Sequence, residues 1–265
     1  MQSNPLPPES RRFPVVFLGA GPGDPELITL KGRRLLDCAD VVVYAGSLVN
    51  AALLDGIKAS CHDSASLDLE AIMDLLARGY ENGQRVVRLH TGDPAIYGAI
   101  REQMQWLDAR AIPYEVVPGV SSVFAAAAAL RTELTVPEVT QTVILTRQAG
   151  RTPVPERESL VRLAAAQATM CIFLSVSMMG RVVEDLRAGG YPVDTPIAVV
   201  ERASWPDERI VEARLADIVE RMRAETIERT ALILVGRALG ARDFRESALY
   251  DVEYIRRFRP QRSEG

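Results

Sequence analysis

Residues 13–29 read FPVVFLGAGPGDPELIT. The first six form a short apolar run with two valines and two phenylalanines, residue types that suit a buried, pleated strand. The run stops at a loop dense in glycine and proline, which punctuate regular structure. A strand feeding a glycine-rich loop opens an α/β unit, and the residues downstream keep that rhythm. Residues 29–38 turn helical. DVVVY at 40–44 is a second buried strand, and residues 67–80 carry an amphipathic helical pattern. RVVRL at 85–89 is a third strand running into HTGDPAIYG. Residues 99–110 are helical again, and YEVV at 114–117 ends at Pro118-Gly119. Strands alternating with helices predict an α/β half with a largely parallel sheet. The ligand belongs at the loops that follow such strands.

Ser121-Ser122 then precedes an alanine-rich run, residues 123–130, and supplies a helix N-cap. A second α/β set follows. Its strands are expected from residue 140, over MCIFLS at 170–175, PIAVV at 196–200 and ALILV at 231–235, with helices near 180–188 and 215–224. The expected organisation is a disordered lead-in over 1–12, an N-terminal α/β domain over 13–119, a C-terminal α/β domain over 120–254 and a charged tail over 255–265. Two halves of similar size predict a cleft between them, a common place for a small-molecule site.

The bulk properties exclude several classes. The chain has 265 residues, 48% hydrophobic and 25% charged, with a formal net charge of -4. That balance offers no global pull toward nucleic acid or an anionic membrane. Cys38, Cys61 and Cys171 are sparse, odd in number and without a C-x-x-C pair, so they predict thiols in a reducing cytoplasm and no disulfide framework. His62 and His90 are the two histidines, and no H-E-x-x-H occurs, so no metal site is expected. Residues 1–12 hold three prolines and no apolar run, unlike a signal peptide. No apolar run approaches the roughly 20 residues of a membrane span.

Three loops concentrate the chemistry. In the first, Gly19 to Pro25, the third position of a dinucleotide fingerprint holds Asp24, and prolines flank Gly23. A carboxylate is a poor neighbour for a pyrophosphate, and the second strand ends in Tyr44-Ala45 where a ribose-binding acid would stand. The loop is therefore not expected to hold NAD; its glycines leave either a tight turn or close approach to a bulky ligand. The second, His90 to Gly98, places Asp93 at a strand's carboxyl end, where it could accept a hydroxyl or an ammonium group. His90 reads as a packed polar side chain. The third, Val117 to Ser122, ends in a helix N-terminus whose N–H groups suit a carboxylate or carbonyl.

GAGPGDPELIT, HTGDPAIYG and VPGVSS, with ALILVG and TPIAVVERASWPDE later, stand in the order and spacing of the tetrapyrrole (corrin/porphyrin) methylases, and the chain resembles that family over roughly residues 13–254. YAGSLV at 44–49 and RASWPDE at 202–208 resemble its precorrin-4 C11-methylating branch. The resemblance implies a non-Rossmann, two-domain α/β fold, a homodimer, a tetrapyrrole substrate and S-adenosylmethionine as methyl donor, leaving S-adenosylhomocysteine. Cobalt-precorrin-4 remains an alternative substrate. By position, the resemblance implies cofactor contacts at Pro22, which lines the substrate trough as the alternative, and at Thr91, Gly92, Asp93, Ile96, Ser121, Ser122, Leu174, Ala203, Thr230 and Ala231. Leu174 stands where related enzymes often carry methionine, and an apolar contact survives the change.

Gly21, Gly23 and Asp24 are expected to face the substrate. The many carboxylates of a precorrin call for guanidinium groups. Arg147 and Arg151, in RQAGRTPVPE after a strand, are the candidates, with two solvated surface charges as the equal alternative. Methyl transfer needs alignment more than covalent catalysis, so the lack of a nucleophilic triad is expected. Asp93 is the one candidate base. The acidic balance weighs against the rival reading of an RNA methylase; a non-catalytic ligand-binding protein is the other rival.

Overall fold

The computed structural model describes residues 13–241 and Ser247. The lead-in expected over 1–12 and the tail expected over 255–265 lie outside the described residues. The chain forms two compact units, one of residues up to 125 together with Arg202–Asp207, the other of Ala126–Glu201 and the residues from 208 on.

The first unit contains β1 (Val15–Gly19), α1 (Leu30–Asp37), β2 (Val41–Tyr44), β3 (Ser60–Asp63), α2 (Leu69–Glu81), β4 (Val86–His90), α3 (Ile100–Asp108) and β5 (Tyr114–Val117). Its strands lie in the order β3-β2-β4-β1-β5, all parallel. β1 and β4 are buried at every position, because helices cover both faces. Alternation along the strands separates two cores. Val16, Leu18, Val42 and Leu89 pack toward Leu36 of α1, whereas Val15, Phe17, Val43 and Val86 pack toward Ile72, Met73 and Leu76 of α2 and Leu107 of α3. The loops leaving the adjacent strands β1 and β4 thus depart to helices on opposite faces. That divergence opens a crevice at the carboxyl ends of the strands, the general ligand position of open α/β sheets.

α4 (Ser122–Ala129) opens at the expected serine. The second unit then holds β6 (Val143–Arg147), α5 (Leu160–Ala164), β7 (Thr169–Phe173), α6 (Met179–Ala188), β8 (Pro196–Glu201), β9 (Arg209–Arg214), α7 (Ile218–Ala224) and β10 (Ala231–Val235). The strand order is β6-β7-β10-β8-β9. Only β6 and β7 are parallel; β10 runs antiparallel to β7 and β8, and β8 to β9. Its core gathers Met170, Ile172, Val182, Leu186, Ile197, Val199, Ile218 and Ile233. Among the described residues no helix is long and apolar enough to cross a membrane.

Candidate active site

Three loops of the first unit meet backbone to backbone. Gly21 and Gly92 form an isolated bridge, with Gly92 N donating to Gly21 O at 2.8 Å and Gly21 N to Gly92 O at 3.3 Å. Beside it, a Cβ on Gly119 would fall 2.2 Å from Gly92 O and 2.8 Å from Gly19 Cα. No other residue fits that approach. Asp93 ties the second loop to the third: its carboxylate accepts from Ala95 N at 2.8 Å and from Gly119 N at 3.0 Å. At Gly92 itself an added Cβ would find Ser121 Cα at 3.8 Å and Ser122 N at 3.9 Å. The absent side chain therefore leaves a narrow space between the 91–93 loop and the start of α4.

The first loop is closed to phosphate chemistry by its own hydrogen bonds. Ala20 N donates to His90 O, Gly21 N to Gly92 O and Asp24 N to Ser204 Oγ, while Pro22 has no N–H. A phosphate cradle needs several of those donors pointing at the ligand. Asp24 also caps the short helical turn Pro25–Leu27 through Glu26 N. The dinucleotide reading fails here for a structural reason that agrees with the sequence.

Below the second loop, β4 carries two buried polar side chains. Arg88 donates to Val43 O at 3.2 Å, Ser64 Oγ at 3.0 Å and Gln103 Oε1 at 3.4 Å. Burial pulls its guanidinium down to about 10, and it stays a cation at neutral pH. Gln103 Nε2 passes the connection on to Ala99 O at 2.9 Å. Tyr97 and Ala99 both adopt left-handed backbone, with φ of 55° and 49°. His90 is 4% exposed, its ring lies 6.0 Å from Phe17, and its Nε2 has no hydrogen-bond partner among the described residues. Burial, and then Arg88 beside it, push its pKa down to about 3. It is a neutral packed side chain.

In the second unit, Leu174, Thr230, Ala231 and Arg147 gather at one end of the sheet. Arg147 pairs with Phe173, the β7–β10 register carries Leu174 to the level of Ala231, and Ala231 pairs with Glu201. Leu174 is 69% exposed with φ of 53°, and Thr230 has φ of 54°. Ala203, in the first unit, is flanked by Arg202 and Ser204, with φ of 50° and 67°. Left-handed backbone at non-glycine residues costs about 1–3 kcal/mol each and collects at functional sites. The Arg147 guanidinium is folded onto its own loop, donating to Thr152 O and Pro153 O at 2.8 Å each and to Gln148 O at 3.4 Å. Arg151 is exposed. Gln148 is buried between Ser175 Oγ, which accepts from its N–H, and Asp185.

The model of the tetrapyrrole (corrin/porphyrin) methylases matches residues 14–219. The chain belongs to that family. Among its relatives, the cobalt-precorrin-4 C(11)-methyltransferase of Methanocaldococcus jannaschii is 53% identical, over 92% of this chain and 95% of that protein. The precorrin-4 C(11)-methyltransferase of Pseudomonas aeruginosa is 51% identical, over 93% and 98%. The solved structure of a cobalt-precorrin-4 methyltransferase, CbiF, superposes with a TM-score of 0.85 at 47% identity, covering 89% of this chain and all of that one. A uroporphyrin-III C-methyltransferase of Thermus thermophilus, complexed with S-adenosylhomocysteine, gives 0.73 at 32% identity, over 86% of this chain and 99% of that one.

In this methylase the sequence motifs led to the three loops but not to the side chains that hold them. Asn50, Ser204 and Trp205 grip the first loop, and Arg88 and Gln103 brace the second. Two signals were present. Arg88 is a charged residue between apolar neighbours, Val87 and Leu89, and Trp205 is one of only two tryptophans, placed in a polar turn.

Proposed function

We propose that this methylase transfers the methyl group of S-adenosylmethionine to C11 of precorrin-4, yielding precorrin-5. The carrying observation is identity of 51–53% over more than nine-tenths of the chain to two proteins named for that position. One of the two is named for the cobalt-containing substrate and the other for the cobalt-free one, so both metallation states are substrates to test. Methyl transfer from S-adenosylmethionine to each, read by mass and by the position of the new methyl, decides the reading. No added methyl on either would overturn it.

The donor, when bound, supplies a methyl group already activated on a sulfonium. The protein's part is alignment and exclusion of water, worth about 7–11 kcal/mol of a barrier. Thr91, Gly92, Asp93 and Ile96, with Ser121 and Ser122, form the cofactor side. The family resemblance adds Ala203 in the same unit, and Leu174, Thr230 and Ala231 in the second, as cofactor contacts. Pro22, together with Gly21, Gly23 and Asp24, forms a wall toward the tetrapyrrole. Since Asp93 already accepts two backbone N–H groups, its role is to hold the cofactor loop rather than to take a proton. Arg147 shapes the 148–153 loop, and Arg151 is the better placed of the two to meet a substrate carboxylate. We place the enzyme in the cytoplasm as a homodimer, a reading that rests on the family and on thiols left unpaired.

A further inference from the structure

Three consecutive residues of the first loop are each held by a side chain from a distant part of the sequence. Trp205 Nε1 donates to Pro22 O at 3.0 Å, and Asn50 Nδ2 donates to Gly23 O at 2.9 Å. Asp24 N donates to Ser204 Oγ at 3.0 Å. The Trp205 ring lies so close beneath the loop that a Cβ on Gly23 would fall 2.0 Å from it. The ring is itself held by a cation. The Arg202 guanidinium lies 4.1 Å from the ring centroid and pairs with Asp207 at 2.8 Å. Asn50 is anchored too, because its Oδ1 accepts from Ala52 N at 3.1 Å. A loop with two prolines and three glycines in seven residues has few side chains of its own with which to hold a shape. Its geometry here comes from outside.

We infer that Asn50, Ser204 and Trp205 are positioning residues: they clasp Pro22–Asp24 into the wall against which the tetrapyrrole is seated. The inference rests on the proposed function for the identity of that substrate. The clasp acts on Pro22–Asp24, beyond the Gly21–Gly92 bridge that already ties the first loop to the second, whereas the cofactor side is built on the second and third loops, which Asp93 joins at Gly119. Loosening the clasp therefore raises the KM for the tetrapyrrole and leaves the affinity for S-adenosylhomocysteine nearly unchanged.

Trp205→Phe keeps an aromatic ring under Gly23 and removes only the N–H donor. Asn50→Ala removes the second grip. Each is expected to raise the precorrin-4 KM about tenfold, the worth of one partly buried hydrogen bond. The S-adenosylhomocysteine Kd, read by calorimetry, should stay within about twofold. Because both grips act on one loop, the double variant should fall short of the product of the single effects. A second readout needs no turnover. With Trp106→Phe, Trp205 is the sole tryptophan, and Asn50→Ala in that background should increase acrylamide quenching of its fluorescence severalfold. An unchanged KM, multiplicative effects, or an equal loss of S-adenosylhomocysteine binding would each overturn the inference. So would quenching unaffected by Asn50→Ala. Wild-type protein that turns over neither form of precorrin-4 would instead overturn the substrate reading, while the quenching experiment still decides the clasp.

Discussion

His90 illustrates how a single side chain carries a pH dependence. Its folded pKa is about 3, well below the usual 6.5, because burial and Arg88 disfavour the charged form. Between those values the unfolded chain binds the proton and the folded protein does not. Stability is therefore full above about pH 6.5 and declines as pH falls toward 3, by about 2 kcal/mol at pH 5. Urea unfolding at pH 7.5 and 5 should show that decline, and His90→Phe, which keeps a ring against Phe17, should flatten it. Asp93 and Leu174 answer different questions. Asp93→Asn removes one of two charged acceptors and should weaken S-adenosylhomocysteine binding roughly tenfold, with the pH profile of kcat unmoved. A lost limb in that profile would restore Asp93 as a base. Leu174→Gly relieves a left-handed backbone at about 1–2 kcal/mol and adds unfolded-state freedom worth nearly as much, so stability should change by less than about 1 kcal/mol. Any loss of cofactor affinity in that variant then reports the exposed leucine itself.

At the scale of elements, the glycines separate tight packing from mere presence. Gly119→Ala drives a methyl into Gly92 O and Gly19 Cα and should cost about 3 kcal/mol in urea unfolding, with cofactor binding lost alongside. Gly180, in α6, has nothing within 4 Å of an added Cβ, and Gly180→Ala should stabilise by roughly 0.5–1 kcal/mol. The strands were legible where burial wrote them in apolar letters. β1, β2, β4, β5, β7, β8 and β10 each coincide with a run read from sequence. β3 and β9 did not announce themselves. SCHD is an edge strand, exposed or half-buried throughout, and RIVEAR alternates half-buried with exposed residues at the other sheet's edge. An edge strand is held by backbone pairing, which any residue supplies, so its side chains carry little trace of it. α5 is five residues long and leaves too short a period to detect.

For the molecule as a whole, the mixed pairing of the second sheet followed from the return of the chain through β8, a turn and β9, a geometry that no run of residues encodes. The segment Arg202–Asp207 belongs to the first unit although the residues on either side belong to the second. That placement brings Ser204 and Trp205 to Pro22–Asp24 across 180 or more positions. Local chemistry was enough for the alternation of strand and helix, the glycine loops at strand ends and the failure of the dinucleotide fingerprint, because each depends on neighbours along the chain. The family followed from the order of those loops. Only the tertiary structure decided that Asp93 spends its carboxylate on two N–H groups, that Arg147 turns back on its own loop, and that a tryptophan and an asparagine set the first loop's shape. Those are choices among partners distant in sequence, made by which groups packing leaves within about 3 Å of each other.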